Sequence, residues 1–248
     1  SGRCGKTPVA ATLPGMKNTA TFRRAAAAAG LVTTALLMIV STVLAPEFPA
    51  GFAAKLAAID EGGSRAAVSA FGFALAQLPF IVGMLGIGHL LRDKAPRLSN
   101  IGTSLAVIGG FGHAVYGGVT MLHLEMASDV TNRAVHARIM EQLESGPAVA
   151  FMAMGLLGTV LGLLLLSIGL FRAGVGPRWV GPALWAFLVV EFAGSAVSEW
   201  SSHLSVILYT AALFAVAATI WRTSDQAWSI PAGALADGDG QVVRESLA

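Results

Sequence analysis

The sequence predicts an all-α protein, a polytopic membrane bundle of six transmembrane helices, and three observations carry that prediction. Stretches 25–46, 66–91, 98–124, 145–171 and 200–221 contain no Asp, Glu, Lys or Arg, and a sixth, 179–198, is interrupted only by Glu191. An apolar run of about 20 residues matches the hydrocarbon thickness of a bilayer. Only 12% of the 248 residues are charged and 55% are hydrophobic, where a soluble domain carries about 25% charged residues. Finally, the basic residues sit unevenly between the loops, as topology requires of a multi-pass chain.

Residues 1–22 read as a flexible N-terminal tail with Gly2, Gly5, Pro8, Pro14 and Gly15 and no apolar stripe. Met16-Lys17 is a plausible start, so 1–15 are expected to be upstream or appended sequence. Gly2–Thr7 ends like a phosphate loop, but its glycines are too close together and no strand precedes them. Cys4 is the single cysteine, which excludes a disulfide framework or a CxxC pair. Arg23-Arg24 opens span 1, which is too long for a secretory signal core and reads as a retained helix. The domain from 23 to 222 then holds the six spans, and 223–248 reads as a flexible cytoplasmic tail.

With the N-terminus inside, Lys55, Arg65, Arg133 and Arg138 are the only basic residues outside, and the other twelve of the sixteen face the cytoplasm. The expected location is the plasma membrane, with both termini cytoplasmic. Outer loops 1 and 3 are each expected to form a short amphipathic helix. Phe48, Phe52, Leu56 and Ile59 recur at helical spacing in the first, and Val135, Ile139 and Leu143 in the second. These helices would cover loop backbone or form a lid over a cavity.

Within the membrane, Ala106, Gly110, Ala114 and Gly118 recur every four residues in span 3, and Gly158 and Gly162 do so in span 4. Small residues at that spacing admit a neighbouring helix closely. Trp179, Trp200 and Trp221 at span ends fit an aromatic belt.

Two polar stripes carry the functional expectation. His113, Tyr116, Thr120 and His123 share one face of span 3; Glu191, Ser195, Ser198 and Glu199 share one face of span 5. Both open toward the outer surface and predict a polar pocket roofed by the loop helices. An ionised carboxylate at mid-membrane depth costs about 2.5–3.5 kcal/mol, so such groups usually serve a function. Glu191 and His113 are therefore the candidate acid–base pair, with Tyr116, Thr120, His123, Ser195 and Ser198 as ligand contacts. No metal is expected; Glu125, Glu199 and His203 are weak candidate ligands, without an H-E-x-x-H motif. No cofactor is indicated. His113 lacks a facing histidine for haem, and no span carries a lysine for a Schiff base.

These features lead to a protein that binds or transports a small lipophilic molecule with proton coupling. The alternatives are a membrane-embedded acid–base enzyme (isomerase, cyclase or hydrolase) and a non-catalytic accessory subunit. Partners are the lipid bilayer, a small lipophilic ligand and further copies of the chain, since six short helices are few for a transporter. The formal charge of +2 is too small to imply nucleic acid. The Ala/Gly-rich spans and motifs such as Phe111-Gly112-His113-Ala114 resemble multi-pass membrane proteins of actinobacteria. That likeness covers spans 2–6 and implies a membrane fold without a particular activity.

Overall fold

The computed structural model describes residues 14–194 and 200–229. Every regular element among them is helical: α1 (Pro14–Leu44), α2 (Phe52–Leu91), α3 (Pro96–Ser128), α4 (Arg133–Ser145), α5 (Val149–Ala173), α6 (Val180–Ala193), α7 (Ser201–Arg222) and α8 (Asp225–Trp228). Five of these, α1, α2, α3, α5 and α7, are long and apolar enough to cross a membrane. Of the fifth predicted span, 179–198, the described part is α6 and its cap Gly194, and residues 195–199 lie outside the described residues. At 1.5 Å per residue the 14-residue α6 rises about 21 Å, against a hydrocarbon core of about 30 Å. The helix ends at Ala193, where the Gly194 N–H closes the last turn on the Val190 carbonyl.

Neighbours around the bundle run α1, α2, α3, α5, α6, α7 and back to α1, with α2 also reaching α5 and α7. Outward faces carry Leu36, Leu78, Ile101, Phe111, Leu157 and Ile207, all exposed. An apolar belt on that scale marks a surface that meets lipid or a partner rather than water. Trp200 and Trp221 are exposed at opposite ends of α7, about 31 Å apart at the helical rise, close to one hydrocarbon thickness.

Two boundaries differ from the sequence expectation. The helix of α1 starts at Pro14, inside the stretch expected to be a tail. α2 begins at Phe52, within the stretch read as loop 1, and is kinked at Gly63, where φ 48° and ψ −124° are a positive-φ conformation that glycine adopts without strain. In loop 3, α4 is held by an Arg133–Asp60 ion pair at 2.8 Å and by a small core of Leu56, Ile59, Met126 and Met140.

The main core joins α1, α2, α5, α6 and α7 through Leu31, Met84, Leu166, Leu184, Leu213 and Ile220. Close approach between α3 and α5 depends on glycine. A methyl added at Gly109 would lie 2.3 Å from the Thr159 amide, and one at Gly162 2.5 Å from the Ala106 amide. The four-residue stripe read in span 3 therefore does not form one contact face. Ala106 meets α5, a methyl at Gly110 would meet Ile81 and Phe80 of α2, and one at Gly118 would meet nothing within 4 Å. Residues four apart drift by 40° per step on a helix of 100° per residue, so three steps sweep past one neighbour and onto the next.

Candidate functional site

A cavity of about 250 Å³ lies inside the ring, and α1, α2, α3, α5, α6 and α7 all line it. Every one of these helices contributes a polar group: Thr34 and Thr42 from α1, Gln77 from α2, His113 from α3, Thr159 from α5, Glu191 from α6, and Ser202, Ser205 and Tyr209 from α7. Apolar side chains such as Met38, Leu163 and Phe187 make up most of the remaining wall.

Glu191 sits in the last turn of α6, not in the middle of a long span. Glu191 is exposed rather than submerged as the sequence predicts, and its Oε2 accepts a hydrogen bond from Ser205 Oγ. His113 is half-buried. Its ring meets Phe73 edge-on at 5.6 Å, and Nδ1 lies 3.4 Å from Thr159 Oγ1. Gly155 makes room for that ring: a methyl there would come within 2.5 Å of His113 Cδ2. Among the described residues no hydrogen bond or ion pair joins His113 to Glu191, so the two groups face one space separately. The hydroxyl of Thr34 and the amide of Gln77 donate to carbonyls of their own helices. That satisfies polar groups which burial would otherwise penalise.

The rest of the α3 stripe does not reach this cavity. Tyr116, Thr120 and His123 line a second one of about 310 Å³, together with Lys55 and Glu144. Its roof comes from the start of α2 and from α4, and Phe73 borders both cavities. His123 is 7% exposed and its Nε2 has no hydrogen-bond partner. An orphan buried donor or acceptor costs about 1–3 kcal/mol, which a bound polar group would recover.

Toward the opposite end the inner cavity closes on Phe80, Met84 and Ile87, buried against Leu31, Leu213 and Val216. Among the described residues Gln77 and His89 line different spaces, His89 lying in a separate groove beside Trp228.

Ser195, Ser198 and Glu199 fall outside the described residues, as do Cys4 and the Gly2–Thr7 segment. Glu125 and His203 are exposed, with His203 packed against Trp200. No group of three or more His, Cys, Asp or Glu among the described residues could hold a metal ion. Ser205 and Tyr209, both on the inner cavity, escaped the sequence reading. Their signal was a polar stripe at 202, 205 and 209, the spacing of one helix face. Lys55 and Glu144 had no such signal, because each sits on a loop helix where charge is ordinary.

No protein-family model, curated protein or solved structure matches this chain.

Proposed function

We propose that this protein lies in the plasma membrane with both termini in the cytoplasm and binds a small, mostly apolar molecule in its central cavity. The molecule enters from the α4 end, through the space lined by Tyr116, Thr120 and His123, and passes Phe73. Its polar end lies between Glu191 and His113, and a proton on that pair is taken up or released with binding. The observation that carries this reading is one cavity bordered by both groups without a bond between them. An accessory subunit would have used the same two side chains as direct glue between helices. The apolar seal beyond Phe80 favours binding from one side over passage through the bundle in this conformation.

A second reading shares the site. An acid and an imidazole bordering one cavity can act as general acid and base on a lipophilic substrate.

Native mass spectrometry of protein taken gently from membranes tests the binding. A small apolar adduct is expected on the parent and is lost in Val160→Trp, which fills the cavity from α5. Glu191→Gln keeps the acceptor for Ser205 and removes the titration, so it is expected to bind without the parent's pH dependence. An adduct held equally by the Val160→Trp protein would remove the central cavity from consideration.

A further inference from the structure

The end of the bundle opposite α4 carries a groove of about 580 Å³ between α1, α2, α3 and α8. Its character differs from that of both cavities above. Arg23, Arg92, His89, Asn100, Ser104 and Trp228 line it, and among the described residues no Asp or Glu does. Two of its polar atoms are buried without a partner: Nε1 of Trp228, a residue 2% exposed, and Oγ1 of Thr103.

The groove is built by the chain's C-terminal side. Arg92 donates to the carbonyls of Ala227 and Ser229, and Arg24 pairs with Asp225 at 3.2 Å. These bonds draw α8 onto the bundle and set the indole of Trp228 against His89, with ring centroids 4.5 Å apart. Arg92 is thereby engaged with carbonyls and with Asp93, its neighbour at 3.4 Å. Arg23 is exposed and, among the described residues, has no carboxylate within ion-pair distance. A guanidinium, an orphan indole N–H, an amide and hydroxyls therefore surround one space, and anions with several acceptor oxygens satisfy such a donor set best.

The apolar side of the same groove says which anion. Phe22 is 72% exposed, and Val82 and Leu85 are exposed beside it on spanning helices. A free inorganic anion has no use for that surface, whereas acyl chains do. We infer that this groove binds the phosphate of an anionic phospholipid, with its chains laid along Phe22, Val82 and Leu85. Basic pockets between spanning helices at the cytoplasmic side suit such headgroups.

The full chain, purified in neutral detergent, is titrated with phosphatidylglycerol, with phosphatidylcholine of the same acyl chains, and with inorganic phosphate. Native mass spectrometry reads occupancy and thermal unfolding reads stabilisation. Phosphatidylglycerol is expected to stay bound and raise the unfolding midpoint, and the other two are not. Arg23→Gln is expected to weaken phosphatidylglycerol about tenfold, the scale of one charge-assisted hydrogen bond. Trp228→Phe keeps the ring on His89 and removes only the N–H. It is expected to weaken binding a few-fold while leaving the lipid-free midpoint unchanged. Equal response to both lipids, or no effect of Arg23→Gln, would overturn the assignment. A response to inorganic phosphate as large as that to phosphatidylglycerol would overturn the lipid and leave a free-phosphate site.

Discussion

Gly155 offers the sharpest test of whether His113 is held for a purpose. A methyl at that position would lie 2.5 Å from His113 Cδ2, 3.1 Å from Nε2 and 3.0 Å from the His113 amide. Carbon atoms settle at about 3.5–4.0 Å, so the imidazole must retreat by roughly 1 Å into the cavity. Its far end is a side chain and can give, which puts the stability loss of Gly155→Ala within the usual ~1–3 kcal/mol for overpacking. Gly158→Ala, one turn further along the same helix face, has no such relief. Its methyl would meet the Gly109 amide at 2.6 Å and the Leu105 carbonyl at 2.7 Å, both backbone, so its loss belongs at about 3 kcal/mol or above. Gly118→Ala meets nothing within 4 Å and stays within about 0.5 kcal/mol of the parent. Thermal unfolding in detergent should therefore rank the three Gly118, Gly155, Gly158 in rising damage. Ligand occupancy, measured well below each midpoint, should rank them differently, with Gly155→Ala losing about tenfold and Gly158→Ala less. A Gly155→Ala protein that binds like the parent would refute the view that the position of this ring matters to the cavity.

Phe73→Ala should merge the two cavities, cost about 2 kcal/mol for a partly buried aromatic, and speed ligand exchange measured by competition. Unchanged exchange would place the entrance elsewhere. Asp129 is held below the usual carboxylate range by the Asn132 side chain first and then by His136. A depressed folded value means the contribution is present above the unfolded value of about 3.9 and lost as pH falls through the folded one. Protection of the amides in the turn before α4, corrected for the intrinsic pH dependence of exchange, should therefore fall as pH drops below about 4 in the parent, and show no such acid step in Asp129→Asn. For topology, with Cys4 replaced by Ser, a membrane-impermeant maleimide should label Ser145→Cys in intact cells and Lys94→Cys only after lysis. The reverse pattern would invert the orientation.

How far the chain could be read in advance depended on the range of the interactions. The five long helices were legible because a twenty-residue uncharged run needs no partner to declare itself. Of the stripe through Glu191, only Glu191 itself falls on a described helix, α6, because Ser195, Ser198 and Glu199 lie outside the described residues. Helical spacing also placed His113 and Tyr116 on one face of α3. It could not show that Phe73 of a neighbouring helix divides that face between two cavities. Least legible was α8, a four-residue helix whose only local mark is the Ser224 cap followed by Asp225. Its place comes from Arg24 and Arg92, contacts that span most of the chain.

The two ends of the bundle differ in how much they can yield, and this bears on what the site can do. At the α8 end α1 and α2 meet with no slack. A methyl on Gly30 would lie 2.7 Å from the Pro79 carbonyl, and one on Gly86 2.3 Å from the Ala27 Cβ. Opening a path from Gln77 to that end would have to part these contacts and expose Phe80, Met84 and Ile87 together. At the α4 end the enclosure is made of a helix broken at Gly63 and a 13-residue helix held by the Arg133–Asp60 ion pair, the His136–Asp129 contact and a six-residue core. Elements with few buried contacts open at the lowest free energy. Exchange at the α4 end therefore asks far less of the fold than passage through it. Mutation of Arg133 or Asp60 should alter ligand exchange without touching the inner cavity, whereas substitutions at Gly30 or Gly86 should act on folding.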